Sequence, residues 1–426
     1  MGLRKSFWAI ILLVFVVISI YLVWNIWNSQ PAYETIETAV GEKVIVGKTE
    51  SAAEAYEPKM IMYQKENSFW RVLKSQETVI NATLHRQIFR NLKNTGTLTK
   101  NELIDEESLP NSLRFKYPVA LTFASFQQIA TQIDTSTIDE EQSFDEIIIS
   151  FDKKKNNVSF INSTTRVSAI ADLPLSEAKK LSDLFSEDTS TSVLPIVLNH
   201  FTFNSSSIPV VLDKKSYVAE SLPIEKFQKA LLNKKDPALV SSNKNMREYI
   251  NGSVLLRYDM NNDNLLYINP AQEITPDANA MIQRTHVLSE SLSFINNYSG
   301  FTGDYRIEDF DENTLKVRYR LRVDNTPVYS DFGGAVITTT AGKESVYQHQ
   351  RPMFELSTSI PSEDVKVTLD SPTAALEKLR KKLGTLDDVY SLEVGYEMTK
   401  GSHETTIVNI EPRWVYTVNG NSQFLD

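Results

Sequence analysis

From Phe7 to Trp24 the chain reads FWAIILLVFVVISIYLVW, an unbroken apolar run preceded by Arg4 and Lys5 and followed by Asn25, Asn28, Gln30 and Pro31. A helix crosses a hydrocarbon core of about 30 Å with roughly 20 apolar residues, and the run extended by Ile26 and Trp27 reaches that length. A membrane-spanning helix over 6–28 is therefore expected, with 1–5 as a cytoplasmic tail. Basic residues flanking a first span stay on the cytoplasmic side, and the first charges after the run are Glu34 and Glu37, so everything beyond it is expected to face outward. A cleaved signal peptide needs small residues before its cut, whereas Tyr21, Trp24 and Trp27 are bulky. Retention in the cell membrane as a single-pass anchor is the reading adopted.

Within the run, Ser19 and Asn25 are the clearly polar side chains and lie on different faces of a helix. Trp8, Leu12, Phe15, Ser19, Leu22 and Ile26 follow a three-four spacing that suits packing against another membrane helix, with Ser19 as the close-approach point. Trp24 and Trp27 suit the outer headgroup belt. These residues, with Asn25, form the candidate partner-binding set.

The chain carries no cysteine, which removes a disulfide framework, a thiolate nucleophile and any Cys-based metal centre. Setting Arg4 and Lys5 aside takes the formal charge from −10 to −12 for the outer part, which disfavours nucleic acid or an anionic surface as a bulk ligand. A bacterial surface is the expected setting for so large an exported chain without bridges.

The periodicities predict a mixed α+β fold of antiparallel sheets backed by helices, in three outer units at 29–205, 206–365 and 366–426. Strands are expected at Met60 to Gln64 and Phe69 to Leu73, followed by a helix on the repeat Ile80, Leu84, Ile88, Leu92. Glu146 to Phe151 and Val158 to Ile161 read as a hairpin, and Pro174 opens a short helix through Phe185. Ser205 to Pro223 reads as an extended connector. Thr275-Pro276 and Gly300 bracket a helix with Met281, Leu288, Leu292 and Ile295 inward, and Ser371-Pro372 and Gly384 bracket another with Leu376, Leu379 and Leu383 inward. Asn419-Gly420 is a type I′ turn signal.

Chemistry is sparse. The five histidines stand singly, with no pair spaced for zinc, and no cofactor motif occurs. Ser-x-x-Lys at Ser150, Ser176 and Ser241 lacks the Lys-Thr-Gly that accompanies it in β-lactamases. Asp259 to Asp263 imitates a calcium loop but has Asn264 where the loop Gly belongs and Pro270 where a bidentate Glu is needed, so a hairpin turn is expected. Asp331-Phe-Gly-Gly334 reads as a turn. The acidic runs Asp139 to Glu141 and Asp309 to Glu312 read as loop charge, and a hydrolase or transferase would need two such carboxyls to converge in a cleft.

The stretch Tyr21-Leu-Val-Trp-Asn-Ile-Trp-Asn-Ser-Gln-Pro-Ala-Tyr33 resembles the start of the YycH family, and Ile224-Glu-Lys-Phe to Leu231 is similar to the segment that follows its connector. The closing pattern, Leu392-Glu-Val-Gly-Tyr396, Pro412-Arg-Trp414 and the Asn-Gly hairpin, resembles YycI and PepSY-like modules. The resemblance implies a non-enzymatic, membrane-anchored regulator of the WalK/YycG sensor histidine kinase, acting with YycI through transmembrane contacts in the two-component control of cell-wall metabolism in Gram-positive bacteria. An outer ligand sensor and a wall-modifying enzyme are the alternatives that remain open.

Overall fold

The computed structural model describes residues 15, 16, 18, 19, 21 and 46–425, except 131, 156, 233–237, 275–281, 362–364 and 402–405. Residues 41–426 form one compact unit, built as two large sheets with a helix between them and a two-stranded ribbon beside them. The first sheet has nine strands, in the order Arg90–Thr97, Val167–Asp172, Val158–Ile161, Ser143–Ser150, Ser112–Thr122, Met60–Lys65, Ser68–Val72, Ser190–Val197, Thr202–Ser205. Every pairing in it is antiparallel, and the expected hairpins at 60–72 and 146–161 are present with Tyr63 opposite Trp70 and Ile147 opposite Phe160. Ser143–Ser150 is almost wholly buried, as suits a central strand covered on both faces. Beside it Phe89, Phe123, Phe126, Phe144 and Phe160 pack edge to face, the geometry their ring quadrupoles favour.

The four-residue repeat expected as one helix divides. The helix Lys74–His85 buries Ile80 and Leu84, whereas Leu92 is buried from the strand Arg90–Thr97 and Ile88 is exposed between them. Period four continued by coincidence across the helix end, where Arg86 is the C-cap. The helix Leu175–Asp183 follows Pro174 as expected.

The second sheet has fourteen strands. Its path begins with the meander Ala238–Ser242, Met246–Asn251, Val254–Asp259, Asn264–Ile268, continues through Val346–Pro352, Val336–Ala341 and Lys316–Val323, and crosses by Thr326–Tyr329 to Val389–Lys400 and Ile407–Val418. Lys215–Ser221 and Phe354–Ile360 close the path. The crossing is parallel, Val328 opposite Tyr396, in an otherwise antiparallel sheet. The expected connector is thus extended but not idle, since Lys215–Ser221 lies between Ile407–Val418 and Phe354–Ile360.

Helix Arg284–Tyr298 packs between the sheets and buries Val287, Leu288, Leu292, Phe294 and Ile295. Its Ser291 hydroxyl meets Tyr319 at 3.1 Å and Thr339 at 2.5 Å on the second sheet, while Tyr56, just ahead of the first sheet's Met60–Lys65, donates to the Leu288 carbonyl at 2.7 Å. One contiguous core therefore includes Ile147 and Phe115 of the first sheet and Tyr319 and Ile337 of the second. The expected start of this helix at Thr275-Pro276 and its Met281 lie outside the described residues; the described helix has Gln283 as its N-cap. Helix Pro372–Leu383 matches its capping signals, with Ser371 Oγ accepting from the Ala374 amide and Gly384 closing it at φ +79°; Leu376 and Leu379 are buried as expected, but Leu383, in the last turn, is exposed. Asn419 and Gly420 both have positive φ, as a type I′ turn requires.

Candidate functional site

The strand Lys316–Val323 alternates basic and apolar residues, so Lys316, Arg318, Arg320 and Arg322 share one face. Its neighbour Asp304–Asp311 places Asp311 opposite Lys316, Asp309 opposite Arg318 and Asp304 opposite Arg322, with a bulge between Ile307 and Asp309. Opposite charges facing each other across an antiparallel pair stabilise it. The acidic run expected as loop charge is thus mostly strand: only Glu312 falls in the turn, because cross-strand bases draw the carboxylates into the ladder.

Lys316 and Arg318 of this face, with Glu308, Asp309 and Asp311, form one wall of a cleft of about 1020 Å³, which Lys59 and Pro118 of the first sheet's side and Glu393 and Ser391 of the closing hairpin complete. A chain of contacts runs through it. Lys59 Nζ lies 3.1 Å from Glu393 Oε1, and Tyr329 donates its hydroxyl to the same oxygen at 3.2 Å. The Arg320 guanidinium sits 4.0 Å over the Tyr329 ring and pairs with Glu308 at 2.5 Å, while its Nη1 donates to the Val328 carbonyl. Burial resists ionisation of Glu393, but the Lys59 ammonium and the hydrogen bonds from Lys59 and Tyr329 overcome it and hold the carboxyl below its usual range. Burial, with the carboxylates of Glu393 and Glu308 close by, pushes the Tyr329 hydroxyl well up. Burial also raises Asp309, against the pull of Arg318 at 3.9 Å.

The arrangement holds charge in pairs. Glu308 and Asp309 stand side by side on one strand against the same Arg318 nitrogen, rather than facing each other across a gap as an acid and a base on opposite sides of a substrate do. Among the described residues no group of three or more His, Asp or Glu side chains is placed to hold a metal ion.

Of the expected partner-binding residues, Trp8, Leu12, Leu22, Trp24, Asn25, Ile26 and Trp27 lie outside the described residues, while Phe15 and Ser19 are helical and exposed. Among the described residues no helix is long and apolar enough to cross a membrane. The Ser-x-x-Lys copies serve structure: Ser150 ends the strand Ser143–Ser150 and leads into the hairpin turn, with the Lys153 amide donating to its hydroxyl, Ser176 sits in a first helical turn as expected, and Ser241 lies near the end of a strand. Asp259 caps its hairpin turn by accepting from the amides of Asn261 and Asn262. The histidines remain separate: His349 is buried against Phe294, His200 stacks on Tyr390, and His403 lies outside the described residues. Sequence reasoning missed Lys59, Arg318, Arg320, Tyr329 and Glu393; the alternation of basic residues from Lys316 to Arg322 was the one local signal for them.

These features define a two-sheet α+β protein whose principal cleft is walled by ion pairs. The chain belongs to the YycH family: residues 5–187 match the YycH protein N-terminal domain and residues 201–426 the YycH protein C-terminal domain. Its structure is similar to the crystal structure of YycH from Bacillus subtilis, with a TM-score of 0.73 at 16% identity over 90% of this chain and 99% of that one, which establishes a shared fold. An uncharacterized protein from Eubacterium rectale aligns over 55% of this chain and 89% of its own at 14% identity, with a TM-score of 0.34. Comparison with curated proteins returns no match. Membership of the YycH family implies regulation of the WalK/YycG kinase and association with a sensor kinase partner, and the family is a regulatory, non-catalytic one.

Proposed function

We propose that this chain is a single-pass membrane protein, cytoplasmic at its N-terminus, whose outer part biases the WalK/YycG kinase together with YycI through contacts of the 6–28 helix, and so tunes cell-wall metabolism. The observation that carries this reading is the apolar run Phe7 to Trp24 behind Arg4 and Lys5, in a chain of the kinase-regulating family. A helix that packs differently on two kinase states shifts their balance only by its differential binding energy, and on the order of a few kcal/mol suffices. Trp8, Leu12, Phe15, Ser19, Leu22, Trp24, Asn25, Ile26 and Trp27 carry those contacts. Photo-crosslinkers placed along 8–27 in living cells test this: adducts with the kinase should recur every three or four positions. An outer body that keeps full control of the kinase after release from its anchor defeats the mechanism.

A second reading, an outer ligand sensor, draws on the cleft, where Glu308 Oε2 is buried with no hydrogen-bond partner. A thermal-shift series with small amines against carboxylates tests it, and an unmoved melting temperature across both series removes it.

A further inference from the structure

Residues 46–50 enter the folded body across the C-terminal end of helix Arg284–Tyr298. The amides of Val46 and Gly47 donate to the Ser299 carbonyl at 3.2 and 3.1 Å, and Lys48 exchanges two bonds with Phe301, amide to carbonyl, at 2.9 and 2.7 Å. Asn296 completes the attachment: its Oδ1 accepts from the Glu50 amide at 3.0 Å and its Nδ2 donates to the Glu50 carbonyl at 2.8 Å. The C-cap carbonyl of Ser299, one of those a helix end leaves without an internal partner, is thus capped by a segment from over two hundred residues away, and the same segment pairs with Phe301 just beyond the helix.

The approach is backbone on backbone. A Cβ on Gly300 would lie 2.7 Å from the Gly47 carbonyl group, and one on Gly47 only 2.2 Å from the Phe301 oxygen; Gly300 also holds φ +67°. Glu50, 3% exposed, anchors the segment further through Arg306 at 3.6 Å, while its pair with Lys48 at 2.6 Å braces the segment internally. From beneath, the buried Arg351 donates to the Gly300 carbonyl and to Thr302 Oγ1, both at 2.8 Å, fixing the loop that receives the segment.

We propose that residues 46–50 are a releasable strap that couples the outer body to the membrane anchor by gripping the end of the central helix. This rests on the anchored-regulator reading above. Closed, the strap ends the tether at residue 46; opened, its five residues lengthen the tether by up to about 17 Å, at some 3.4 Å per extended residue. Force or displacement reaching the helix is passed to the anchor only in the closed state.

The test uses the full-length chain in membranes, as wild type, Asn296→Ala and Gly300→Ala. Hydrogen exchange over 46–50 should quicken about tenfold or more in both variants, because Asn296→Ala loses two hydrogen bonds of ordinary net strength, which shifts an opening equilibrium by that order, and Gly300→Ala drives a Cβ against the Gly47 carbonyl, while Ser143–Ser150 stays protected. Output from the kinase, read by a target-promoter reporter at matched protein level, should shift in the same direction in both. A Glu50→Cys/Asn296→Cys pair, in a chain with no other cysteine, should hold output at or beyond the wild-type side when oxidised. The coupling is overturned if 46–50 exchanges in the wild type as an unstructured peptide, or if strap release leaves output at the wild-type level while deletion of the protein changes it. If deletion itself leaves output unchanged, the regulator reading fails and the coupling falls with it.

Discussion

His349 has no exposed surface; its Nδ1 lies 3.1 Å from the Thr338 carbonyl, so it carries the proton and donates there, while Nε2 has no hydrogen-bond partner. Burial, and then the positive charge of Arg351, push its pKa down from 6.5 to about 3. A base depressed in the folded state is protonated first in the unfolded one, so stability is lost as pH falls below 6.5. At pH 5 the loss from this residue is about 2 kcal/mol, and His349→Phe should flatten that slope in guanidinium midpoints measured at pH 7 and pH 5. An identical pH slope in the variant refutes the assignment. Arg351, two residues on, is equally buried; burial lowers it to about 10, and its hydrogen bonds go to neutral oxygens. Arg351→Met strands the Gly300 carbonyl and Thr302 hydroxyl that it satisfies, and should cost about 3 kcal/mol in urea unfolding.

Elements whose signals are local were readable before the structure, and those assembled from distant segments were not. Helix Pro372–Leu383 carries its own start and stop, so Ser371→Ala should lower stability by about 1 kcal/mol, seen as a shift of the denaturant midpoint without a change in slope. The Asn419-Gly420 hairpin and the 146–161 hairpin were legible for the same reason, since turn chemistry sits beside the strands it joins. Thr326–Tyr329 was not. Its turn, Asp324 and Asn325 at φ 49° and 57°, lacks the glycine that marks such turns most plainly, and its parallel partner Val389–Lys400 is sixty residues on. The cleft was hidden by the same distance, because Lys59, Glu308 and Glu393 meet through topology and no spacing rule connects them. The Ile80 to Leu92 repeat shows the converse error, a true period read through a helix end.

Across the whole molecule, buried apolar residues divide unequally. One cluster reaches from Ala55 to Ile410 and includes Ile147, Leu288 and Tyr319, so both sheets and the central helix share a single interior. A smaller cluster joins Leu376, Leu379, Val389, Trp414 and Leu425 with Phe203. Residues sharing one core lose their support together, whereas a satellite opens on its own with a lower free energy. Ile147→Ala and Leu379→Ala both truncate fully buried side chains, at a cost of about 2–5 kcal/mol each, but in different clusters. Ile147→Ala should therefore speed hydrogen exchange in Met60–Lys65 and in Lys316–Val323 alike, although the second lies in the other sheet. Leu379→Ala should release Pro372–Leu383 and Asn421–Leu425 while Lys316–Val323 stays protected. Loosening confined to the first sheet in Ile147→Ala would show two independent interiors, and a body so divided could not carry a displacement from the cleft wall through the central helix as one piece.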